Sequence, residues 1–360
     1  PNINMLGVRE KNIYGQQVRI DTDLDGEISV NEAREIYVLD IGLDYLSTSN
    51  ISNIDGLEYF TSLHTFLCKY NSLTNGTLSR IFNLYNLTKL DISYNQLTSF
   101  TVPTYSRLYE INCSFNQISY LDVSNLSNRL LNLYCQNNLL TSLNLSSNSQ
   151  LQILNCGNNL LTTLDLTLNN TLRTLKCELN QITNLLVNSP MLNTFFCNNN
   201  QITNLDVSNT RIGFFYCDDN NLEKLNVKGS YYSPPVLSIS GNPNLHYICC
   251  DEEDVSSIIT RLNNEYGIYN CNVNSYCSFT PEGTFFEISG NTKLDSNNNG
   301  CDVSDSIYPN LNLSITTGTN VGTLISNQTG NYYLPVSAGN HIITPNPENP
   351  SYFNISPASF

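Results

Sequence analysis

The segment from about residue 63 to residue 225 repeats one motif eight times, and this repetition restricts the possible folds more than any other feature. Each copy has a Cys or Ile, an Asn three residues later, and a Leu or Ile two residues after that Asn. The first of these positions holds Cys68, Ile92, Cys113, Cys135, Cys156, Cys177, Cys197 and Cys217, so the copies recur every 20 to 24 residues. This period predicts a solenoid, because one copy cannot bury its own apolar residues but a stack of copies can.

The pattern Leu-x-x-Leu-x-Cys/Ile-x-x-Asn-x-Leu is that of a leucine-rich repeat. In residues 151–156, Leu154 and Cys156 should face the core and Asn155 should face outwards, as a strand requires. The short alternating segment around Leu143 and Leu145 predicts a second strand on the other side of the repeat rather than a helix. We expect a mainly β chain: a right-handed leucine-rich-repeat solenoid with N- and C-terminal caps, followed by a small Ig-like β-sandwich.

The repeated Asn and Cys are expected to be structural. An Asn amide both donates and accepts, so it can bond the backbone groups that a turn leaves free and build an internal ladder. Equivalent Cys of adjacent repeats should lie about 4.8 Å apart, but parallel side chains are poorly oriented for a disulfide. We therefore expect buried free thiols. A column of metal ions is the alternative, but the sequence offers it no His partners.

Departures from the repeat divide the chain into four predicted parts. Residues 1–42 form an N-terminal cap, 43–245 the solenoid, 246–278 a C-terminal cap, and 279–360 the β-sandwich. Acidic residues followed by apolar residues at helical spacing predict a helix over 251–262 that ends near Gly267. The segment 228–235, which contains two Pro, predicts a loop. Five alternating segments after residue 283 predict the strands of the sandwich.

Five Cys lie outside the ladder. Disulfides are common in the caps of secreted proteins, and we expect the pairs Cys249–Cys271 and Cys277–Cys301. The connectivity does not follow from the sequence, and Cys250 could instead close the ladder.

Residues 21–32 match a twelve-residue EF-hand loop at each ligand position, with Gly26 at the turn. Carboxylates this close together repel one another unless a cation binds, so we expect calcium as a structural ion. The alternative is a solvated acidic loop. The expected ligands are Asp21, Asp23, Asp25, Glu27, Ser29 and Glu32.

A second oxygen-rich loop lies within the predicted sandwich and is also expected to bind calcium. It departs from the EF-hand pattern because neither Asp302 nor Asp305 falls at position twelve. Its candidate ligands are Asp295, Asn297, Asn299, Cys301 through its carbonyl, Asp302 and Asp305.

Aromatic residues gather at positions that should lie on the concave face of the solenoid, in one group near its start and another near its end. Exposed aromatic residues on a rigid sheet commonly form a recognition surface, although they could also pack on one another. We expect them to bind a protein or a glycan. The candidates are Tyr70, Tyr94, Phe115, Tyr134, Phe196, Phe214 and Tyr216.

The net charge of −15 argues against nucleic acid and anionic membranes as partners. No apolar stretch is long enough to span a membrane, so we expect no transmembrane segment. The three His, at positions 64, 246 and 341, are far apart in sequence. No nucleophile, metal motif or desolvated carboxylate pair stands out, and we expect no catalytic residues and no enzymatic activity.

The repeats resemble those of surface and secreted leucine-rich-repeat proteins of Bacteroidetes, including flavobacteria. Residues 284–345 resemble the calcium-binding B-type domains of bacterial adhesins. The resemblance implies an extracellular or outer-membrane location, reached by type IX secretion, and a role in adhesion or recognition. The alternatives are a cargo or accessory subunit of an outer-membrane secretion complex, and the binding region of a larger secreted enzyme.

Overall fold

The computed structural model describes residues 9–12, 14–43, 50–229, 231–276, 286–300, 302–318 and 320–357. The chain divides into a first compact unit, Pro1–Asn199, and a second, Asn200–Phe360, and each is described by itself. Cys277 and Cys301 lie outside the described residues.

The first unit consists of short strands with two short α-helices. Its helices are α1 (Val30–Arg34) and α2 (Leu78–Phe82), and 3-10 turns cover Leu57–Tyr59, Asn75–Thr77 and Ser124–Leu126. Its strands are β1 (Arg9–Lys11), β2 (Gln17–Val18), β3 (Val38–Asp40), β4 (Thr65–Leu67), β5 (Lys89–Asp91), β6 (Ser99–Thr101), β7 (Glu110–Asn112), β8 (Tyr120–Asp122), β9 (Asn132–Tyr134), β10 (Ile153–Asn155), β11 (Thr163–Leu166), β12 (Thr174–Lys176), β13 (Asn184–Val187) and β14 (Thr194–Phe196).

Most of these strands form one sheet, here called the long sheet, in the order β14-β12-β10-β9-β7-β5-β4-β3-β1-β2. From β3 to β14 the strands are parallel, and equivalent residues of neighbouring repeats face each other, as Ile153 faces Asn132 and Thr174. β1 runs antiparallel to β2 and β3 and so ends the parallel stack. The pairs β6-β8 and β11-β13 lie on the other side of the repeats. The predicted solenoid is confirmed, but a second strand forms only in some repeats. The segment around Leu143 and Leu145, predicted to be such a strand, is not one, because no strand pairing forms there.

The alternation predicted for each strand is also confirmed. Leu154 and Cys156 are fully buried, whereas Asn155 is partly exposed. The ladder thiols of the first unit are buried and form no disulfides, and burial raises the pKa of Cys68 and Cys113 to about 12. Burying one Leu contributes about 2 kcal/mol, so a core built from every repeat supplies the main driving force for stacking.

The repeated Asn side chains bridge adjacent repeats. Asn159 Nδ2 donates to the carbonyl oxygens of Cys135 and Cys156, both at 3.1 Å, and Oδ1 accepts from the backbone N–H of Leu140 at 3.0 Å. Asn95, Asn116, Asn138 and Asn180 bond in the same pattern. One amide thus satisfies backbone groups that a buried turn would otherwise leave without partners.

A second set of buried Asn, which the sequence analysis missed, lies at the turns on the opposite side of the first unit. Asn148 and Asn169 are fully buried, thirteen residues after Cys135 and Cys156. Asn148 Nδ2 donates to the carbonyl oxygen of Val123, and Asn169 Nδ2 donates to that of Leu145, both at 3.1 Å. Their constant spacing from the ladder Cys was a usable sequence signal.

The second unit is also made of strands, with one α-helix, α3 (Val255–Arg261). A 3-10 turn, Glu252–Asp254, precedes this helix, a π-helical turn, Leu262–Tyr266, follows it, and another 3-10 turn covers Pro350–Tyr352. Gly267 ends the helix in the left-handed region (φ 66°), as predicted. The strands are β15 (Asn204–Asp206), β16 (Ile212–Tyr216), β17 (Lys224–Asn226), β18 (Tyr231–Ser238), β19 (Tyr247–Cys249), β20 (Asn272–Asn274), β21 (Phe286–Asn291), β22 (Lys293–Leu294), β23 (Ser306–Ile307), β24 (Asn312–Thr317), β25 (Asn320–Ile325), β26 (Asn331–Val336) and β27 (Ile342–Asn346).

One seven-stranded sheet joins the last repeats to the C-terminal strands, in the order β15-β17-β19-β20-β25-β24-β27. In this sheet β15, β17, β19 and β20 run parallel to one another. β25 pairs antiparallel with β20, with Asn274 opposite Leu324. Tyr247 of β19 shares a buried cluster with Ile315 and Leu334 of later strands. β25 therefore covers the edge that β20 would otherwise expose. The Ig-like assignment and the four domain boundaries remain predictions.

The predicted loop after Val227 is wrong, because Tyr231–Ser238 forms β18. β18 pairs in parallel with β16. Ile212 faces Tyr231 and Phe214 faces Val236, so β18 has extra residues between these two pairs, and they form a bulge. The bulge accommodates the two Pro, which sheets tolerate at bulges and edges.

The predicted Cys249–Cys271 disulfide is also wrong. Cys249 is disulfide-bonded, but Cys271 is a free, buried thiol, as is Cys250. The register places Cys249 opposite Asn274, three residues beyond Cys271 on the parallel neighbour. That offset is about 10 Å, too far for a disulfide.

Asn159→Ala should lower the free energy of unfolding by about 3 kcal/mol, because it leaves buried carbonyls and one N–H without partners. Chemical denaturation followed by circular dichroism measures the change. Asn170→Ala, at an exposed turn position next to Asn169, is the control and should change stability by less than about 0.5 kcal/mol. Equal losses in the two variants would contradict a structural role for the ladder.

Candidate functional site

Three aromatic side chains form a continuous stack at the turns that end successive strands of the long sheet. The rings of Tyr70 and Tyr94 lie 4.0 Å apart between centroids at 18°, and those of Tyr94 and Phe115 lie 4.0 Å apart at 8°. Phe115 is 37% exposed. We call Tyr70, Tyr94 and Phe115 the ring stack. Stacked pairs contribute about 0.5–1.5 kcal/mol each beyond burial.

The ring stack occupies backbone positions that aromatic residues avoid. Tyr70, Tyr94 and Phe115 have φ of 56°, 54° and 53°, in the left-handed region. The next two repeats place Asn137 and Asn158 at this position (φ 57° and 51°), and Asn tolerates this conformation well. Leu179, Asn199 and Asp219 of later repeats also have a positive φ, so this conformation belongs to the repeat, and three adjacent repeats place aromatic residues in it. Such strain is more common at functional positions than in a neutral scaffold.

Burial raises the pKa of two phenols in and near the ring stack. Desolvation, together with a hydrogen bond to the Tyr70 hydroxyl, raises the pKa of Tyr94 to about 12. Tyr134, in β9, lies outside the stack, and its pKa is raised first by desolvation and then by the charge of Glu110. Both phenols are therefore neutral at physiological pH and can serve as hydrogen-bond donors.

Charged groups on the outward face of the long sheet are largely compensated locally. Lys89 Nζ lies 2.8 Å from Glu110 Oε1, and Asp91 Oδ1 accepts from the Ser93 hydroxyl at 2.6 Å. The Lys176 ammonium lies 5.0 Å from the centre of the Phe196 ring, within the range of a cation–π contact.

The predicted second aromatic group is divided between the two units. Phe196 lies in β14 of the first unit, whereas Phe214 and Tyr216 lie in β16 of the second. Phe214 is 49% exposed and Tyr216 partly exposed, while Phe215 between them is buried. Their alternation is as predicted.

The first acidic loop brings three of its predicted ligands together. Oxygens of Asp21, Asp23 and Asp25 all lie within 4.8 Å of one another. Asp21 Oδ1 accepts from the Leu24 N–H at 2.7 Å, and the positive φ of Leu24 and Gly26 turns the chain around the carboxylates. Three hard oxygen donors so close together fit Ca²⁺. Glu27 is exposed, and its predicted contribution is a backbone carbonyl.

The position-twelve carboxylate is held by the protein itself. Glu32 Oε1 accepts from the Thr22 N–H at 2.6 Å and Oε2 from the Ser29 N–H at 2.8 Å, while the Ser29 hydroxyl caps α1. The Ser29 and Thr22 hydrogen bonds lower the pKa of Glu32 to about 2. The Asp25 N–H lowers the pKa of Asp23, but desolvation and neighbouring carboxylates outweigh it and leave this pKa raised. A cation would relieve that repulsion.

The second loop follows the same backbone path as the first. Asp295 accepts from the Gly300 N–H at 2.9 Å, as Asp21 accepts from Gly26; its other bond, from Asn299 at 3.3 Å, comes from one residue further along than the bond from Leu24 to Asp21. Asn298 and Gly300 have positive φ, as do Leu24 and Gly26. Asn297 Oδ1 accepts from the Asn299 N–H at 3.0 Å.

The two remaining acidic ligands of the second loop are bonded mainly within the loop. Asp302 Oδ1 accepts from the Ser304 N–H and hydroxyl, both at 2.6 Å, and Asp305 Oδ2 accepts from the Asp302 N–H at 2.8 Å. The Ser304 hydrogen bonds lower the pKa of Asp302. This loop therefore offers fewer charged oxygens than the first and departs more from the EF-hand pattern.

The three His occupy separate places. The His64 ring stacks on Tyr37 at 4.0 Å, whereas His246 and His341 belong to the second unit. His246 Nδ1 bonds the Asn244 carbonyl at 2.9 Å, and His341 Nε2 bonds the Ser337 carbonyl at 2.8 Å.

Sequence reasoning missed one polar cluster on the outward face of the long sheet. Gln136, Gly157 and Glu178 directly follow Cys135, Cys156 and Cys177 in three adjacent repeats. A Gly between two long polar side chains at one repeat position was the available signal. Across the parts of the chain that are described, no helix is both long and apolar enough to cross a membrane.

Comparisons with known proteins support the fold. No family model matches the chain. The putative leucine-rich repeat protein R380 of Acanthamoeba polyphaga mimivirus is 33% identical over 73 residues, which is 20% of this chain and only 16% of that protein.

Two solved structures are similar to this chain. The leucine-rich repeat domain of APL1 aligns with a TM-score of 0.51 at 19% identity, over 64% of this chain and 67% of that chain. The functional domain of InlJ from Listeria monocytogenes, described as including a cysteine ladder, aligns with a TM-score of 0.46 at 20% identity, over 89% of this chain and 80% of that chain. At 19% identity, the similarity to the APL1 domain supports the leucine-rich-repeat fold and nothing finer.

Proposed function

We propose that this leucine-rich-repeat chain is a non-enzymatic recognition protein, secreted or held at the cell surface, that binds a protein partner on the outward face of its long sheet. The observation that carries this proposal is the ring stack. Three aromatic residues are held in a strained backbone conformation, and Phe115 remains 37% exposed at the end of the stack. Leucine-rich-repeat chains are typically protein-interaction modules, and their stacked repeats offer an extended binding face.

Partner binding would use the ring stack as a rigid apolar anchor. Aromatic side chains lose little conformational entropy when they bind, and these rings are already ordered by their neighbours. The compensated charges around them avoid the cost of leaving a desolvated ion without a counter-charge. Export to the cell surface by the type IX system, which the resemblance to Bacteroidetes proteins implies, is part of this proposal.

Calcium is proposed as a structural ion in both loops. In the first loop, Asp21, Asp23 and Asp25 would hold it with the Glu27 carbonyl and Glu32. In the second, Asp295, Asn297 and Asn299 would hold it with the Cys301 carbonyl, Asp302 and Asp305. The ion would neutralise mutually repelling carboxylates next to α1 and next to β22 and β23. Affinities of about 10⁻⁴–10⁻³ M are typical of extracellular modules and match an extracellular location.

A photo-crosslinking amino acid at position 115 should capture one discrete protein in the cells that produce this chain. The same amino acid at position 120 is the matched control, because Tyr120 is 59% exposed in β8 of the other strand set. Mass spectrometry identifies the adducts. No adduct at position 115, or identical adducts at both positions, would contradict the proposal, and adducts that contain only carbohydrate would replace the protein partner with a glycan.

Isothermal titration calorimetry with Ca²⁺ should find two ions per chain, with Kd of about 10⁻⁴–10⁻³ M. Asp23→Ala and Asp295→Ala should each remove one site and leave the other, so each variant is the control for its counterpart. Excess chelator should lower the Tm of the wild type. No binding heat at millimolar Ca²⁺, or an unchanged number of bound ions in both variants, would contradict the assignment.

A further inference from the structure

Gln136, Gly157 and Glu178 lie side by side on the outward face of the long sheet, and we call them the acceptor notch. The Asn137 N–H donates to the Gly157 carbonyl at 3.0 Å, and the Asn158 N–H donates to the Glu178 carbonyl at 2.8 Å. These bonds continue the parallel register of β9, β10 and β12. The notch and the ring stack thus lie on the same unit, in different repeats.

The absence of a side chain at Gly157 allows the Glu178 carboxylate to lie across it. A Cβ at position 157 would stand 2.9 Å from Glu178 Oε1 and 3.0 Å from its carboxyl carbon. Gly157 does not have a positive φ, so it is needed here for space rather than for backbone conformation.

Two oxygen atoms in the notch lack hydrogen-bond donors. Gln136 Oε1 and Glu178 Oε2 are shielded from solvent and have no partner in the described structure. Both atoms are acceptors, and one belongs to an ionisable group. Burial raises the pKa of Glu178, and a hydrogen bond from its own backbone N–H and the charge of Lys176 offset this only in part. Almost all shielded polar atoms in folded proteins have partners, so two neighbouring exceptions call for an explanation.

Nearby groups do not supply the missing donors. The Asn155 amide oxygen accepts from the Gly157 N–H at 3.3 Å. The Lys176 ammonium lies over the Phe196 ring, and among the described residues it forms no ion pair with Glu178. The notch therefore contains two acceptors without donors, one of which belongs to a carboxylate.

We propose that the acceptor notch binds a cationic side chain of the protein partner, the ammonium of a Lys or the guanidinium of an Arg. This inference rests on the proposed function, because it assigns a specificity-determining contact on the same face. A cationic N–H donor can bond the Glu178 oxygen and neutralise its carboxylate. A neutral hydroxyl would leave the charge uncompensated, and an anion would be repelled. Glu178, partly exposed, turns its carboxylate towards the ligand as it binds.

NMR titration with single amino-acid probes tests the notch without knowledge of the partner. Glu and Gln are labelled with ¹³C, and the probes are the Nα-acetyl N-methylamides of Lys, Arg and, as the neutral control, norleucine. The Glu178 carboxyl carbon should shift saturably with Lys or Arg and not with norleucine, and the stronger of the two identifies the cation. Binding should also lower the apparent pKa of Glu178, because a cation favours the ionised form.

Variants make the test specific. Glu178→Gln should weaken cation binding at least tenfold, and Gly157→Ala should weaken it by displacing the carboxylate. Lys176→Met removes a competing cation and should leave binding unchanged or stronger. Phe115→Leu, in the ring stack, should not alter probe binding. Equal shifts with norleucine, or equal affinity in wild type and Glu178→Gln, would overturn the proposal.

Stability against pH gives a second readout that needs no probe. A carboxyl group whose pKa is raised by folding contributes stability below its unfolded pKa, and this contribution is lost as the pH rises through the raised value. Glu178→Gln should therefore melt at a higher temperature than the wild type at pH 7 and at the same temperature near pH 3.5. A lower Tm for the variant at pH 7 would mean that Glu178 already has a donor within the chain, and would also overturn the proposal.

The notch and the proposed function can fail separately. If position 115 captures a protein and Glu178→Gln changes neither probe binding nor capture, the notch proposal fails and recognition by the ring stack stands. If the cation probes bind the notch but position 115 captures nothing, the subsite stands and the proposed protein recognition fails.

Discussion

The buried Asn amide that joins each repeat to the next is the interaction on which the rest of the first unit depends. A turn that enters the core must find partners for its backbone N–H and C=O groups, or each costs about 1–3 kcal/mol. Asn159 supplies three such partners at once, two carbonyls and one N–H from neighbouring segments. The same bonds also fix the register, because the amide reaches the previous repeat only when equivalent residues stand side by side. Small apolar Cys at the adjacent position lets the repeats pack closely around these bonds.

Because the interior satisfies both packing and hydrogen bonding, the outward positions of the strands are free to vary. The ring stack and the acceptor notch use this freedom in different ways. The ring stack accepts an unfavourable backbone conformation to present rings, where Asn would fit at lower cost. The notch gives up a side chain at Gly157 and leaves Glu178 desolvated. Both features reduce stability locally, and a requirement for binding explains why a scaffold would retain them. The calcium loops lie outside the repeats, so calcium would stabilise the chain only locally, at each loop.

How much the sequence predicted depends on whether a feature repeats. The strand alternation at Leu154 and Cys156, the Asn ladder and the end of the helix at Gly267 all follow from spacing or from local propensity. Features that depend on one particular pairing did not follow. β18 forms although it contains two Pro, because a bulge absorbs them, and Cys271 is displaced from Cys249 by the register of two strands. The stacking of Tyr94 on Tyr70 and Phe115 and the carboxylate over Gly157 depend on contacts between repeats, which no single repeat encodes. The calcium ligands, the C-terminal sandwich type and the partner remain predictions.

Differential alkylation of the ladder cysteines, read by mass spectrometry, tests most directly the claim that a buried Asn-and-Cys interior supports a variable outer face. Burial holds the pKa of Cys68 and Cys113 at about 12, so at pH 8 their thiols are both covered and protonated. In the native protein they should react no faster than the chain unfolds, and in denaturant they should react at once. Rapid labelling of Cys113 or Cys156 in the native state would contradict the account, because it would place the ladder at the surface.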